Sequence, residues 1–396
     1  MAASRARRAA LTSGRVVVAL LSAAVLTGTA YGWATLQRVD RSVNKTDVLV
    51  QPGDPLEEEL PPAPPADDGA TDVLLVGSDS RTDAQGAALP DEVLRQLRTE
   101  AAEGLNTDTI VLVRIPHDGG RAYAVSVPRD TYVPIPGLPD DKINGAYGLT
   151  KSATWQQLRD EGVTDTAERE RRSDQAGRRV LVQVVQDLTG VRVDHYAEVN
   201  LYGFYLLTQV VGGVEVCLNR ATSDPDSGAN FAAGVQRVSG GDALAFVRQR
   251  KNLPDGDLSR IARQQAFMSA AVSQLFSAGT LVDQDRLNGL LEAVNRSVVV
   301  DETLNTTVLL QQVQGLAGGN VEFATIPVVN VNATSERGQS IVQVDREQVR
   351  AFVAQLLRTT APATPGPTQR FGSGKVVALD GARSVAVQQQ AVRCVD

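Results

Sequence analysis

The chain has 396 residues, 42% hydrophobic and 21% charged, proportions of a globular protein that exclude wholesale disorder. Its 39 Lys and Arg against 46 Asp and Glu leave a net charge of −7, so it has no basic excess with which to bind nucleic acid. Two His and two Cys exclude a Cys-rich zinc centre, and any site must be built from carboxylates, guanidiniums and amides.

Residues 16–36 carry no charge over 21 positions, about what a hydrocarbon core near 30 Å requires. This predicts a transmembrane helix. Arg5, Arg7, Arg8 and Arg15 precede it, which places a tail of residues 1–15 in the cytoplasm and the rest of the chain outside. A cleaved signal peptide is the alternative, since Gly28 and Ala30 suit a cleavage site, but the apolar run continues through Trp33 and Leu36. Six prolines fall within residues 51–69, an acidic run that makes residues 37–70 a stiff, solvated spacer. A second Pro/Gly/Thr linker begins near residue 359 and leads into a tail that reaches residue 396. Between the linkers, residues 71–358 show no fixed-period repeat and are expected to form one domain.

Within it, 73–76, 109–115 and 122–127 are apolar runs of strand length, the last two joined by an Asp-Gly hairpin signal. Val180, Leu181, Val184, Val185 and Leu188 recur at helical spacing, with Gly190 as the stop. The run 201–211 predicts a core helix, with lining of a lipid cavity as a further use, and 214–218 a strand. Helices are expected over 240–250, 258–276, 286–298, 303–316 and 345–358. The alternation predicts an α/β domain with a mixed sheet covered by helices.

The first strand ends in GSDSR, so Asp79 and Arg81 lie past its C-terminal end, where open α/β sheets bind ligands. If the strand from Thr109 runs antiparallel to it, Asp108 lies at the same edge. The hairpin then returns Arg129 and Asp130, in VPRD, to that edge as well. Taken singly, an Asp beside a strand is a turn or cap residue. Brought together from distant segments, such carboxylates suit Mg2+, which typically takes one or two of them plus waters and phosphate oxygens. Arg248, Arg250, Lys251, Arg260 and Arg263 crowd into sixteen residues, a clustering that is costly unless an anion sits between the guanidiniums or a structural network with Asp255 and Asp257 neutralises them. His117 and His195 give no triad or zinc motif, and His195 reads as a structural residue.

GSDSR, NTDTIVLVRI, VSVPRDTYV, KINGAYG, GGVEV, GGDALAFVRQR and GDLSRIARQQ occur here in an order and spacing that resemble the LytR-CpsA-Psr family of bacterial cell-wall glycopolymer ligases, actinobacterial type, over about residues 71–358. The resemblance implies a mixed sheet covered by helices on both faces, with an apolar tunnel for a prenyl tail. It also implies transfer of an arabinogalactan or anionic polymer from a polyprenyl-pyrophosphate carrier to a peptidoglycan acceptor, with Mg2+. Carried over by motif, the metal carboxylates are Asp79 and Asp108. The pyrophosphate contacts are Arg81, Arg129, Lys142, Arg248, Arg250, Arg260 and Gln264, with Arg81, Arg129 and Asp130 at the reacting phosphorus. Asp130 either orients Arg129 or serves as base. Many members have Arg where this chain has Asn106. A prenyl-pyrophosphate phosphatase and a non-enzymatic lipid-carrier sensor are the alternative functions. Outside the membrane, Cys217 and Cys394 are expected to pair and pin the tail.

Overall fold

The computed structural model describes residues 43–49, 64, 69–84, 88–98, 106–254, 256–277, 284–305, 321–359 and 394–396. The expected transmembrane helix, most of the spacer, most of the helix expected over 303–316, Asp255 and the C-terminal linker lie outside the described residues. No described helix is long and apolar enough to cross a membrane.

A seven-stranded mixed sheet runs through the middle of the domain. Its members, in chain order, are β1 (Asn44–Thr46), β2 (Ala70–Ser78), β3 (Thr107–Pro116), β4 (Ala122–Ser126), β7 (His195–Asn200), β12 (Val298–Asp301) and β13 (Val321–Thr325), and their spatial order is β1-β12-β7-β2-β3-β4-β13. β2 lies at the centre, parallel to β7 and antiparallel to β3, so its side chains meet protein on both faces. A near-continuous apolar run follows from that placement. β3 turns back into β4 through His117–Gly120, with Gly119 at φ 75° as the Asp-Gly signal requires.

One face of the sheet, with Leu74, Val76, Ile110, Leu112 and Val125, packs on α3 (Thr166–Thr189) and α8 (Arg346–Thr359). The Asp165 side chain caps the start of α3 by accepting from the N–H of Ala167 and Glu168, and Gly190 at φ 73° ends it. Leu181, Val184, Val185 and Leu188 are the buried stripe, as the periodicity predicts. On the other face, α6 (Asp257–Ser277) brings Gln265 to within hydrogen-bond reach of Ser126 Oγ (3.0 Å) and the Ala324 carbonyl (3.2 Å).

Beside α6, a small sheet of β8 (Val214–Leu218), β11 (Gly234–Val238) and β16 (Cys394–Val395) packs Val214, Val216 and Leu218 against Phe246 and Phe267. The Cys217–Cys394 disulfide joins β16 to β8 and pins the chain's last residues there.

The helix α4 (Leu201–Val210) forms where a core helix is expected, but only Leu201, Gly203 and Thr208 are buried in it. It packs through its small side, because a Cβ on Gly203 would lie 2.0 Å from Ser297 Cβ. Phe204, Tyr205, Leu206 and Leu207 are left half-buried. β7 has no counterpart among the predicted strands, for its sequence HYAEVN alternates buried Tyr196, Glu198 and Asn200 with half-buried residues, and an apolar-run search passes over it. His195 is structural, with Nδ1 3.2 Å from the buried Asp301 carboxylate.

Candidate active site

The C-terminal end of β2 and the start of β3 come together through a β-bulge. Gly77 pairs with Thr109 and Ser78 with Thr107, which leaves Asp108 as the extra residue on β3. A bulge re-aims the side chain of the residue it leaves out of the ladder, and here it directs a carboxylate into the mouth of the sheet. Asp79 follows β2 directly. Its N–H donates to the Asn106 carbonyl (3.0 Å), and its Oδ1 accepts the Asn106 N–H (2.6 Å).

After β4 the chain turns at Pro128, and the backbone of the next residues is tied on several sides. The Thr131 N–H donates to the Pro128 carbonyl, Asn144 N–H to the Arg129 carbonyl, and Val342 N–H to the Asp130 carbonyl. Arg129 Nη1 therefore meets Asp108 Oδ1 at 2.8 Å, with its Nε 3.6 Å from Asp130 Oδ2. Lys142, which closes the strand β6 (Leu138–Lys142), places Nζ 3.0 Å from Asp130 Oδ1. Asp130 lies between two cations, an arrangement suited to orienting them.

A third segment arrives from α5 (Gly240–Arg248) and α6. Arg250 Nη2 reaches the second oxygen of Asp108 at 3.1 Å, and Arg248 Nη1 donates to the Leu97 carbonyl at 3.4 Å. Arg260 is buried in α6 and acts electrostatically on Asp108. Gln264 donates to the Val247 carbonyl at 3.3 Å, at the end of α5. The other two cations of the sequence cluster stand apart. Lys251 pairs with Asp226 at 2.7 Å, and Arg263 is buried beneath α5, where burial pushes its pKa to about 10 against the opposing charge of Asp396.

Burial raises the Asp79 pKa, and the charge of Asp108 adds to the rise against the Asn106 N–H and Arg81. Burial also penalises ionisation of Asp108, but Arg129, Arg250 and Arg260 outweigh it and hold the carboxyl below its usual range. Arg248 is pushed down by burial, with Arg250 and Arg81 adding to the effect and both Asp108 and Asp79 opposing it. Asp79, Asp108 and Asp130 thus share one locus with Arg81, Arg129, Lys142, Arg248, Arg250 and Arg260. Six cations meet three carboxylates there, and like charges 4 Å apart repel by roughly 1–4 kcal/mol for effective dielectrics of 80 to 20. The locus is suited to a polyanion that neutralises the excess.

The Asp108 charge makes ionisation of Asp79 costlier, and two neighbouring carboxylates of this kind also fit one divalent cation. Mg2+ takes one or two carboxylates and completes its shell with waters and phosphate oxygens. Both Asp108 oxygens are engaged by guanidiniums, so a cation would share Asp108 with them. Among the described residues no cluster of three or more acidic or imidazole groups is placed to hold a metal by itself. Neither imidazole lies at the site, since His117 bonds Thr71 and His195 bonds Asp301.

Sequence reasoning does not find Gln249 and Asp224, and it counts Arg263 with the cluster without seeing that it bonds Gln249. Asp224 accepts the N–H groups of Arg250 (3.0 Å) and Lys251 (3.3 Å), yet SDPD reads locally as a turn. The alternative of a structural network with Asp255 and Asp257 rests on side chains outside those described.

A sequence model described as the LytR_cpsA_psr family matches residues 33–358. The chain is 49% identical over 349 residues to "Cell wall biosynthesis protein LcpA" of Corynebacterium glutamicum, covering 88% of this chain and 66% of that protein. It is 29% identical over 232 residues to "Polyisoprenyl-teichoic acid--peptidoglycan teichoic acid transferase TagU" of Oceanobacillus iheyensis, covering 59% of each. The chain thus spans about two thirds or less of the length of these curated relatives. Among solved structures, the LytR-Csp2A-Psr enzyme from Actinomyces oris superimposes with a TM-score of 0.51 at 18% identity, over 79% of this chain and 95% of that one, which shows a shared fold.

Proposed function

The chain belongs to the LytR-CpsA-Psr family, and on that premise we propose that it is a phosphotransferase that moves a cell-wall glycopolymer, arabinogalactan or an anionic polymer, from a polyprenyl-pyrophosphate carrier to peptidoglycan. The observation that carries this reading is the set of six cations around three carboxylates, two of them shared between cations, where β2, β3 and β4 deliver Asp79, Asp108 and Asp130. A diphosphate diester brings two negative charges to that locus and gains a third as prenyl phosphate leaves.

A peptidoglycan hydroxyl attacks the glycopolymer-linked phosphorus. The new P–O bond forms as the bond to the bridging oxygen breaks, prenyl phosphate departs with that oxygen, and the hydroxyl proton is released to solvent. Arg81, Arg129, Arg248, Arg250 and Arg260 hold the phosphate oxygens in a fixed array and balance the growing charge, the electrostatic work that dominates such transfers. Asp130 orients Arg129 and Lys142. Mg2+, held by Asp79 and Asp108, would supply further neutralisation of the phosphate oxygens. The half-buried Leu206 and Leu207 of α4, and the half-buried Leu75, Val113 and Ala197 on the sheet face away from α3, offer apolar surface for the prenyl tail. Residues 16–36 anchor the protein in the membrane, with residues 1–15 cytoplasmic and the catalytic domain outside.

The test follows products of a prenyl-pyrophosphate-linked polymer incubated with the full-length protein and Mg2+. With peptidoglycan present, polymer-bearing peptidoglycan and prenyl phosphate are expected, and folded Asp79→Ala should lose the Mg2+-dependent turnover. Free phosphorylated polymer at the same rate with and without acceptor would instead make water the acceptor and the protein a phosphatase.

A further inference from the structure

Between Arg248 and Arg250 lies Gln249, which is fully buried and faces away from the anion site. Gln249 ends α5 with φ −54° and ψ 134°, where the backbone leaves the helix. Its side chain is buried, while Arg248 before it is half-buried and Arg250 after it is exposed. Holding Gln249 down therefore fixes where both guanidiniums emerge.

What holds Gln249 down is a set of three side-chain hydrogen bonds. Its Nε2 donates to Thr222 Oγ1 at 2.6 Å and to the Lys251 carbonyl at 2.9 Å, while Oε1 accepts from Arg263 Nη1 at 2.6 Å. Arg263 is also fully buried. It bonds none of the site's carboxylates: its Nε donates to the main-chain oxygen of Asp396 at 2.6 Å, and its guanidinium lies 5.2 Å from the centroid of the Phe246 ring. Asp396 directly follows β16, which the disulfide and the parallel pairing with β8 keep in place. A buried guanidinium is costly unless its donors are used, so the amide of Gln249 and the β16 tail stabilise Arg263 where it stands.

Resting on the function proposed above, we propose that Gln249 and Arg263 are positioning residues of the pyrophosphate grip. They hold Arg248 and Arg250 toward the substrate without touching it, and the β16 tail completes the device by taking up the Nε of Arg263. Arg263 is, on this reading, no phosphate ligand despite lying three residues from Arg260.

The experiment measures binding of geranylgeranyl pyrophosphate in Mg2+ to the full-length protein, with a thermal melt of each variant. Gln249→Leu should weaken binding by up to about 100-fold, the scale on which a misplacement of about 1 Å acts, while keeping a cooperative melt. In an Arg250→Ala background the same change should cost clearly less, because one of the groups it positions is gone. Gln249→Glu, which keeps an oxygen for Arg263 Nη1, should recover part of the loss. If Gln249→Leu lacks a cooperative melt, Gln249→Glu against Arg263→Lys takes its place in the same cycle. Parent-like binding by a folded Gln249→Leu, or an equal fold-loss in both backgrounds, would overturn the proposal alone. A parent that does not bind the probe would overturn the functional reading and the proposal with it.

Discussion

Arg178 and Arg129 are guanidiniums drawn largely out of water beside the same sheet, and they are partnered in opposite ways. Arg178, on α3, has a carboxylate to itself: its Nε lies 2.7 Å from Glu198 Oε2, with side-chain exposures of 12% and 5%. The Tyr196 hydroxyl donates to the same oxygen at 3.0 Å, and the Tyr147 ring lies 5.5 Å beneath the guanidinium. Burial works against the Arg178 charge, but Glu198 outweighs it and the group titrates well above its ordinary value. At the candidate active site the carboxylates are shared. Asp108 serves Arg129 and Arg250, and Asp130 serves Arg129 and Lys142. One-to-one pairing closes a structural network. Sharing leaves cationic charge in excess, as the proposed phosphate grip requires.

The largest effect expected from this contrast lies on the structural side. Glu198→Gln leaves Arg178 buried without its counter-charge and should cost about 3–5 kcal/mol of stability in denaturant titration. Turnover per folded molecule should stay at the parent level. A Glu198→Gln protein as stable as the parent would erase the distinction between the two regions.

Next is Arg250→Ala, which removes one of several crowded cations. Turnover should fall by about 10²–10³, the usual scale for deleting one preorganised electrostatic contact. The melting temperature should hold or rise slightly, since like-charge repulsion is relieved. A destabilised variant with normal activity per folded molecule would place Arg250 with Arg178 and defeat the phosphate grip.

The smallest effect sharpens the comparison one residue further on. Lys251 belongs to the same charge run but forms an exposed pair with Asp226 at 2.7 Å. Exposed pairs of this kind contribute little. Lys251→Ala should leave both melt and turnover within error of the parent, and a large loss of turnover would extend the grip beyond the groups assigned to it.

The strands that build the site were legible where burial is two-sided, as in 73–76 and 109–115, because a central strand reads as an apolar run. β7 was not, since Glu198 and His195 interrupt its pattern and are satisfied by Arg178 and Asp301 from far along the chain. The half-buried state of α4 was likewise hidden. Its composition reports apolar character, while the contact of Gly203 with Ser297 decides which side is covered.

From the residues alone came the α/β class, the family motifs, the edge carboxylates Asp79 and Asp108, and the unusual density of arginine in 248–263. These are properties of composition and local period, and a chain carries them before it folds. Only the folded chain decided that Asp108 is the extra residue of a bulge, that Arg250 meets it across 142 positions of sequence, and that Arg263 turns away to hold Gln249. Charge density announces that guanidiniums are present. Which carboxylate each one meets, and which is left for substrate, depends on strand register and helix rotation, and long-range packing sets both.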